Sequence, residues 1–524
     1  MSLSFHKVGW SAKAAIGVVV ASILISISLM SISFILALPA IALILYISIS
    51  IESGITSFYT GFLFGALSSL ILNYWMIPVV TNYAQGSVFL GLLCYLGSSL
   101  VLGLFFGLQF CVMYALKFKG SEKLYLFTNA FTAGAVWVLF ELIRSKLFSA
   151  IPWLSFTIGV TQGRSLYQIQ IASFGKVFLL SFTTVVAAYG IADSFRRKSW
   201  SLLTFPVGLI ALQLIAGFFL YNRISRQEEG AKKVSVAIVM PALDPKSVWN
   251  EESANNLVSH LFSLNEEAVK SKPDLVVWTE TVVPWTYAPN DDFVLEIAKS
   301  TKGTGSHTLI GMNTASNSKD QTLVNSVYFL DPAGKGQARY DKQDLLGMVE
   351  KPLLSEEGSL ILPFLRTYNL KMTAGEQKGP LTTPWGKAGI ILCNESTNSY
   401  LAAGLANGGA NFLLNIGNDG WFSNHFITRQ HFYNNRLRAV ENRKDLVVNN
   451  NMGFCGIVRA SGEIIKEADG RNSGIISAEI NPNGHDPASV SWVFCLVIAV
   501  LLLPLINCLK CLFINSLIVK QKKV

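Results

Sequence analysis

Residues 14–51 read AAIGVVVASILISISLMSISFILALPAIALILYISISI, without one charged side chain. A bilayer core takes about 20 apolar residues per helix. The run therefore predicts two membrane spans, 14–31 and 33–51. A cleaved signal peptide does not fit, because a second apolar run follows at once and no A-x-A-type cleavage site intervenes. Comparable runs follow at 55–78, 88–116, 124–143, 169–193 and 201–221, and one more stands far along the chain at 489–514. Eight spans are predicted.

Between the seventh and eighth runs, Lys232 to Pro487 has the composition of an ordinary globular protein. Over all 524 residues, 51% are hydrophobic and only 14% charged, against about 25% charged in soluble proteins. The expected organisation is a bundle of seven spans over residues 1–230, an inserted extracytoplasmic domain over 231–487, and an eighth helix with a basic tail over 488–524.

Net charge is 42 − 33 = +9. Nucleic-acid binding would need the basic residues on one folded face with stacking aromatics. Here they sit in short loops and ends: Lys7 and Lys13, then Lys117, Lys119 and Lys123, then Arg196, Arg197 and Lys198, and finally Lys520, Lys522 and Lys523. All four groups fall on the cytoplasmic side of one topology. The inserted domain then lies on the opposite face, which in a bacterium is the periplasmic side of the inner membrane. Of seven cysteines, Cys94, Cys111, Cys495, Cys508 and Cys511 lie in apolar spans, so no disulfide framework is expected. Cys455 reads as a small buried hydrophobe.

Inside the domain, Val234–Val239, Leu275–Trp278, Thr308–Gly311, Val324–Leu330, Ala388–Leu392 and Asn411–Asn415 read as strands. Helical stretches at 251–271, 397–407 and 428–443 alternate with them, which predicts an α/β sandwich. Three polar side chains end apolar runs: Glu280 after Leu-Val-Val-Trp-Thr, Lys342 in Ala-Arg-Tyr-Asp-Lys, and Cys393 after Gly-Ile-Ile-Leu. Singly, each is an ordinary strand-end residue. Together they form a chemical set. A thiol needs a base to become a nucleophile, and an ammonium favours the thiolate and stabilises an oxyanion. Such a set suits acyl transfer through a covalent thioester.

The order Trp278-Thr-Glu280, Tyr340-Asp-Lys342, Cys393-Asn-Glu395 resembles the nitrilase superfamily, whose triad is Glu, Lys and Cys. Trp137-x-x-x-Glu141-x-x-Arg144, Pro152-Trp153-Leu154, Trp249, Asn418-Asp-Gly-Trp421-Phe422, the helix from Arg436 through Arg438 and Glu441 to Arg443, and Asn449–Gly456 narrow the resemblance to the apolipoprotein N-acyltransferases. The resemblance implies a multi-span α-helical membrane bundle of eight transmembrane helices with an inserted α/β nitrilase-like αββα sandwich. It implies transfer of a fatty acyl chain from a phospholipid to the α-amine of a diacylglyceryl-cysteine lipoprotein. Glu280 would be the base, Lys342 the oxyanion holder and Cys393 the nucleophile. Glu350 and Glu395 would match further functional glutamates, Trp249 a mobile-loop residue and Trp421 an acyl-path residue; Asn418 and Trp153 are candidates beside them. Three positions depart from the family: Thr279 stands in place of Pro, Asn394 in place of Tyr, and Gly347-Met-Val-Glu350 keeps the glutamate but loses a Phe.

For Glu141 and Arg144 two readings stand, mutual pairing at i,i+3 or contact with a lipid headgroup. Trp153 reads as an interfacial anchor. His260, His307, His425 and His431 lack metal-ligand spacing. No metal and no organic cofactor are expected, and the protein is expected to act as a monomer on membrane lipid. The alternatives are a membrane-tethered amidase that gives its acyl group to water, an acyltransferase with another acceptor, and a non-enzymatic transporter or scaffold.

Overall fold

The computed structural model describes residues 12–83, 87–118, 123–228, 232–245, 247, 250–316, 322–347, 349–351, 372–376, 379–422 and 425–485. The charge-free run folds as two helices, α1 (Ala12–Ser31) and α2 (Phe34–Ile49). They break where Ile32 adopts a left-handed φ of 52°. Next come α3 (Gly54–Leu72), α4 (Met76–Tyr83), α5 (Val88–Ala115), α6 (Lys123–Leu147), α7 (Ala172–Arg197) and α8 (Thr204–Glu228). Among the described residues, six helical stretches are long and apolar enough to cross a membrane: Ala12–Ser31, Gly54–Leu72, Val88–Ala115, Tyr125–Leu147, Gln168–Arg197 and Trp200–Gln227.

Two expectations change. The stretch 33–51 yields a helix of only 16 residues, too short for a full span without help at its ends. The stretch 55–78 is split at Asn73–Trp75, because Asn73 turns its amide back onto Ser69 Oγ (3.1 Å) and Pro78 favours a new first turn. The expected span at 489–514, Trp249, Lys119 and the basic tail lie outside the described residues.

Without an aqueous hydrophobic drive, helices in lipid associate through close packing of small residues. A Cβ at Gly61 of α3 would sit 2.3 Å from the Phe106 carbonyl of α5, so only glycine permits that approach. Val207, Leu212, Ile215 and Phe219 of α8 point outward and are largely exposed, as a lipid-facing surface requires.

Twelve strands form the domain: β1 (Val234–Met240), β2 (Leu275–Val277), β3 (His307–Ala315), β4 (Leu323–Leu330), β5 (Gly336–Asp341), β6 (Leu381–Thr383), β7 (Gly386–Leu392), β8 (Phe412–Asn418), β9 (Leu446–Asn451), β10 (Phe454–Val458), β11 (Ile464–Asp469) and β12 (Gly474–Ile480). They make two six-stranded sheets, ordered β12-β1-β2-β3-β4-β5 and β11-β10-β9-β8-β7-β6. The facing sides interleave Val236, Val277, Leu309, Ile390, Leu414 and Val447 into one core, which also holds Cys455. Helices α9 (Glu251–Val269) and α10 (Asp292–Thr304) cover one outer face. Helices α11 (Ser399–Asn407) and α12 (His425–Asn442) cover the other. The layers thus run α-β-β-α. Buried Asn449 ties the sheets together by donating to the Val239 and Val277 carbonyls, both at 2.9 Å.

The charges of the α12 segment, which could not stay buried unpaired, bolt the domain to the bundle. Arg436 donates to Gly163 O at 2.8 Å and to Gly462 O at 2.7 Å. Arg443 donates to Gln170 Oε1 (2.8 Å), Gln170 O (3.2 Å), Ser173 Oγ (3.0 Å) and Ala460 O (3.2 Å). Helix α7 breaks its own ladder at Gly175 and Lys176. The amide that reopens it, Val177 N–H, donates to Glu441 Oε1 at 2.8 Å. A carboxylate from the domain therefore caps a helix of the bundle.

Candidate active site

Glu280 follows β2, Lys342 ends β5 and Cys393 ends β7, so two residues come from one sheet and the sulfur from the other. Strand β3 presses close behind the carboxylate: a Cβ on Gly311 would lie 2.7 Å from Glu280 Cα. Thr281 and Cys393 both hold left-handed backbone, with φ of 45° and 51°. Such conformations cost about 1–3 kcal/mol and persist where surroundings over-determine them. At Cys393 the surroundings include Asn415, whose amide donates to the carbonyls of Ile391 (3.1 Å) and Cys393 (3.4 Å).

Lys342 Nζ lies 3.4 Å from Glu280 Oε1 and 2.7 Å from Glu350 Oε1. Asn325 of β4 bridges the two carboxylates, donating at 2.6 Å and 3.1 Å. The second oxygen of Glu350 accepts the Leu346 amide at 2.7 Å. The Cys393 thiol and the Glu280 carboxylate line the same cavity and influence each other's ionisation. Burial pushes this thiol well above its usual value, and the Glu280 charge adds to that against Lys342. Burial likewise raises Glu280, with Glu350 adding to the shift and Lys342 opposing it. Burial disfavours the Lys342 charge, but Glu350, Glu280 and Cys393 outweigh it and hold the ammonium well above the usual lysine value. At rest the sulfur is thus a thiol, and Lys342 carries its charge.

Glu395 is a structural hub. Its carboxylate accepts the amides of Leu392 (2.7 Å), Gln343 (2.7 Å) and Asp344 (3.1 Å), and the Tyr340 hydroxyl at 2.9 Å. It joins the nucleophile turn to the chain just after Lys342. Burial, opposed by these amides, pushes it up to about 7.

A cavity of about 1010 Å³ opens at this set. Glu280, Lys342, Glu350, Cys393, Asn418 and Trp421 line it from the domain, and Leu29, Trp75, Val79, Phe89, Leu90 and Trp153 line it from the bundle. Trp153 packs edge-on against Trp75 at 5.6 Å, inside the cavity wall. Gly347 N donates to Ala150 O at 2.8 Å, tethering the loop after Lys342 to the bundle. Met348 of that loop lies outside the described residues.

Glu141 and Arg144 do not join the site. Neither lines the cavity, and no ion pair within 4.0 Å links them. Glu141 accepts from Trp137 Nε1 and Ile158 N, both at 3.0 Å, while Arg144 donates to Ser155 O (3.1 Å) and Gln109 Oε1 (3.2 Å). Both fully buried charges fasten the turn after α6 to the bundle and stabilise each other beyond direct contact distance, as the structural reading of the pair expects. Sequence reasoning missed Asn325, although a polar residue in the apolar run Val324–Leu330 was the available signal. It also missed His431, which lines the cavity with Nδ1 2.7 Å from Asp419 Oδ1.

Residues 235–488 match the carbon-nitrogen hydrolase family model, and residues 21–190 match that of the apolipoprotein N-acyltransferase N-terminal domain. The chain thus carries an apolipoprotein N-acyltransferase N-terminal domain followed by a carbon-nitrogen hydrolase domain. The apolipoprotein N-acyltransferase of Geobacter metallireducens is 28% identical over 422 residues, 78% of each chain. That of Agrobacterium fabrum is 28% identical over 415 residues, covering 75% of this chain and 74% of its own. Among solved structures, a carbon-nitrogen hydrolase from Helicobacter pylori G27 aligns with 48% of this chain and 89% of its own, with 18% identity and a TM-score of 0.36.

One pH dependence follows from the two carboxylates. Glu350 raises Glu280 by repulsion and is the main support of the Lys342 charge. A base works only above its own pKa. In Glu350→Gln the repulsion is gone, so Glu280 ionises at lower pH and the acid limb of the rate moves down. Lys342 loses its strongest partner, so the alkaline limb moves down too. The pH profile of kcat/KM checks this; an acid limb that stays in place or moves up would show that Glu350 does not set the base.

Proposed function

We propose that this protein transfers a fatty acyl chain from a phospholipid, through a thioester on Cys393, to the terminal amine of a diacylglyceryl-cysteine lipoprotein. The observation that carries the reading is the single cavity that has the Glu280, Lys342 and Cys393 side chains at one side and apolar bundle residues at the other. Lipids are held in the bilayer by about 0.8 kcal/mol per buried CH₂, so a nucleophile acting on them has to open toward such a surface.

The Cys393 sulfur attacks the ester carbonyl while Glu280 takes the thiol proton, and Lys342 faces the oxyanion. Collapse breaks the ester C–O bond, and Glu280 passes its proton to the departing lysophospholipid oxygen. The amine then attacks the thioester, Glu280 takes its proton, the C–S bond breaks and the proton returns to sulfur. Glu350, Asn325 and Glu395 position the triad. Trp421, Asn418 and Trp153 line the substrate path, and Trp249 takes part in substrate contact.

The membrane arrangement is part of this proposal. An eighth span at 489–514 returns the chain across the bilayer, and the domain, 231–487, stands in the periplasm of a bacterial inner membrane. In support, α5 begins at the cavity with Phe89 and Leu90 and ends next to Lys117, whose neighbours Ile49 and Tyr189 lie at the remote end of the bundle. The basic residues Arg196–Lys198 follow Tyr189 on α7.

Intact-mass spectrometry after exposure to phospholipid tests the reading. The expected result is a fatty-acyl adduct on Cys393 that hydroxylamine removes and that a diacylglyceryl peptide converts to N-acyl peptide. Release of free fatty acid without N-acyl peptide would instead make the protein a hydrolase. Retention of full function in Cys393→Ala would make it no enzyme of this kind.

A further inference from the structure

Two amide oxygens on residues that line the cavity have no donor among the described residues. Asn394, next to Cys393, is 4% exposed and lines the cavity. Its Nδ2 donates to Asp344 O at 3.1 Å. A carbonyl only accepts, so this bond fixes which end of the amide is oxygen. The Oδ1 atom is left buried and unpartnered. Asn325 is 3% exposed and lines the same cavity. Its Nδ2 is spent on Glu280 and Glu350, and its Oδ1 is also unpartnered. Both residues line the cavity that Glu280 and Cys393 also line. The Lys342 ammonium is already held by both glutamates. Buried acceptors without donors are costly, and a cavity whose lining residues carry them is complementary to a ligand rich in N–H groups.

We propose that Asn394 Oδ1 accepts an N–H of a primary amine on the substrate, and so selects amines. The inference rests on the acyl-transfer reading above. An amine attacking the thioester must aim its lone pair at the carbonyl carbon, with its N–H bonds turned away. One N–H goes to Glu280, which takes that proton and returns it to sulfur as the C–N bond forms and the C–S bond breaks. The other goes to Asn394. An amine that arrives as ammonium first gives its extra proton to water. An alcohol brings a single O–H, which Glu280 claims, and leaves Asn394 unpaired; a site built for a donor rejects a ligand lacking it. A lipoprotein α-amine and the headgroup amine of an ethanolamine phospholipid share this chemistry.

The test compares Asn394→Leu and Asn394→Asp in the full-length protein. Both lose the bond to Asp344; only leucine removes the acceptor oxygen. Thioester formation is followed by mass spectrometry with phosphatidylethanolamine and with phosphatidylglycerol, and aminolysis by single-turnover reaction with a diacylglyceryl-cysteine peptide. Aminolysis relative to thioester formation is expected to fall about tenfold or more further in the leucine variant than in the aspartate variant. A loss confined to thioester formation from phosphatidylethanolamine would support the amine site and assign it to the donor headgroup. Equal behaviour of the two variants in both steps overturns the inference. Absence of any thioester in the unaltered protein would instead sink the acyl-transfer reading, and this inference with it.

Discussion

Glu280→Gln is expected to slow thioester formation by about 10³-fold, the scale of a lost general base. The size follows from the sulfur's surroundings. Burial and the neighbouring carboxylate hold the Cys393 thiol well above its usual value, so little thiolate exists at neutral pH without a proton acceptor in contact. Glutamine keeps the shape and an acceptor oxygen for Asn325, and it cannot take the proton. Raising the pH is expected to recover part of the rate, as solvent base replaces the carboxylate. Single-turnover acylation followed by intact mass checks both statements. A rate within tenfold of the unaltered protein would mean that the proton leaves by another route.

Arg443→Ala is expected to cost about 3 kcal/mol of stability, because one guanidinium serves four acceptors on both sides of the joint between domain and bundle. In a domain of this size that is a fall in Tm of about 6–10 °C. Arg443→Lys is expected to recover only part of it, since an ammonium lacks the planar fork that reaches Gln170 and Ser173 together. Thermal unfolding in detergent checks this. An unchanged Tm would show that the joint is held elsewhere, by Arg436, Glu441 and the other bonds across it.

The helices of the bundle were legible because charge-free runs have few other uses. What was not legible is where such a run stops, since Asn73 and Pro78 sit in a stretch as apolar as its neighbours. In the domain, β1, β3, β4, β7 and β8 announce themselves as buried apolar runs. Strands β5 and β11 do not, because they carry exposed polar residues on both sides. Strand β9 ends in three buried asparagines, two of which, Asn449 and Asn451, bond backbone groups of distant segments. The same reason separates the readable part of the site from the rest. Glu280, Lys342 and Cys393 show themselves by residue type and order. The work of Asn325, Glu395 and Asn394 depends on which amide or carboxylate happens to lie opposite. The destinations of Glu141 and Arg144 were hidden because they bind main-chain atoms of a later turn.

The Glu441 cap on the broken end of α7 has a kinetic consequence. A catalytic head fastened so firmly cannot dip toward its reactants, so each reactant has to travel sideways through the sheet of lipid to a stationary sulfur. On the acyl-transfer reading, turnover then depends on the mole fraction of usable donor within the bilayer and on its lateral mobility. Diluting the vesicles in more buffer leaves that rate per enzyme unchanged, whereas diluting the donor with inert lipid lowers it.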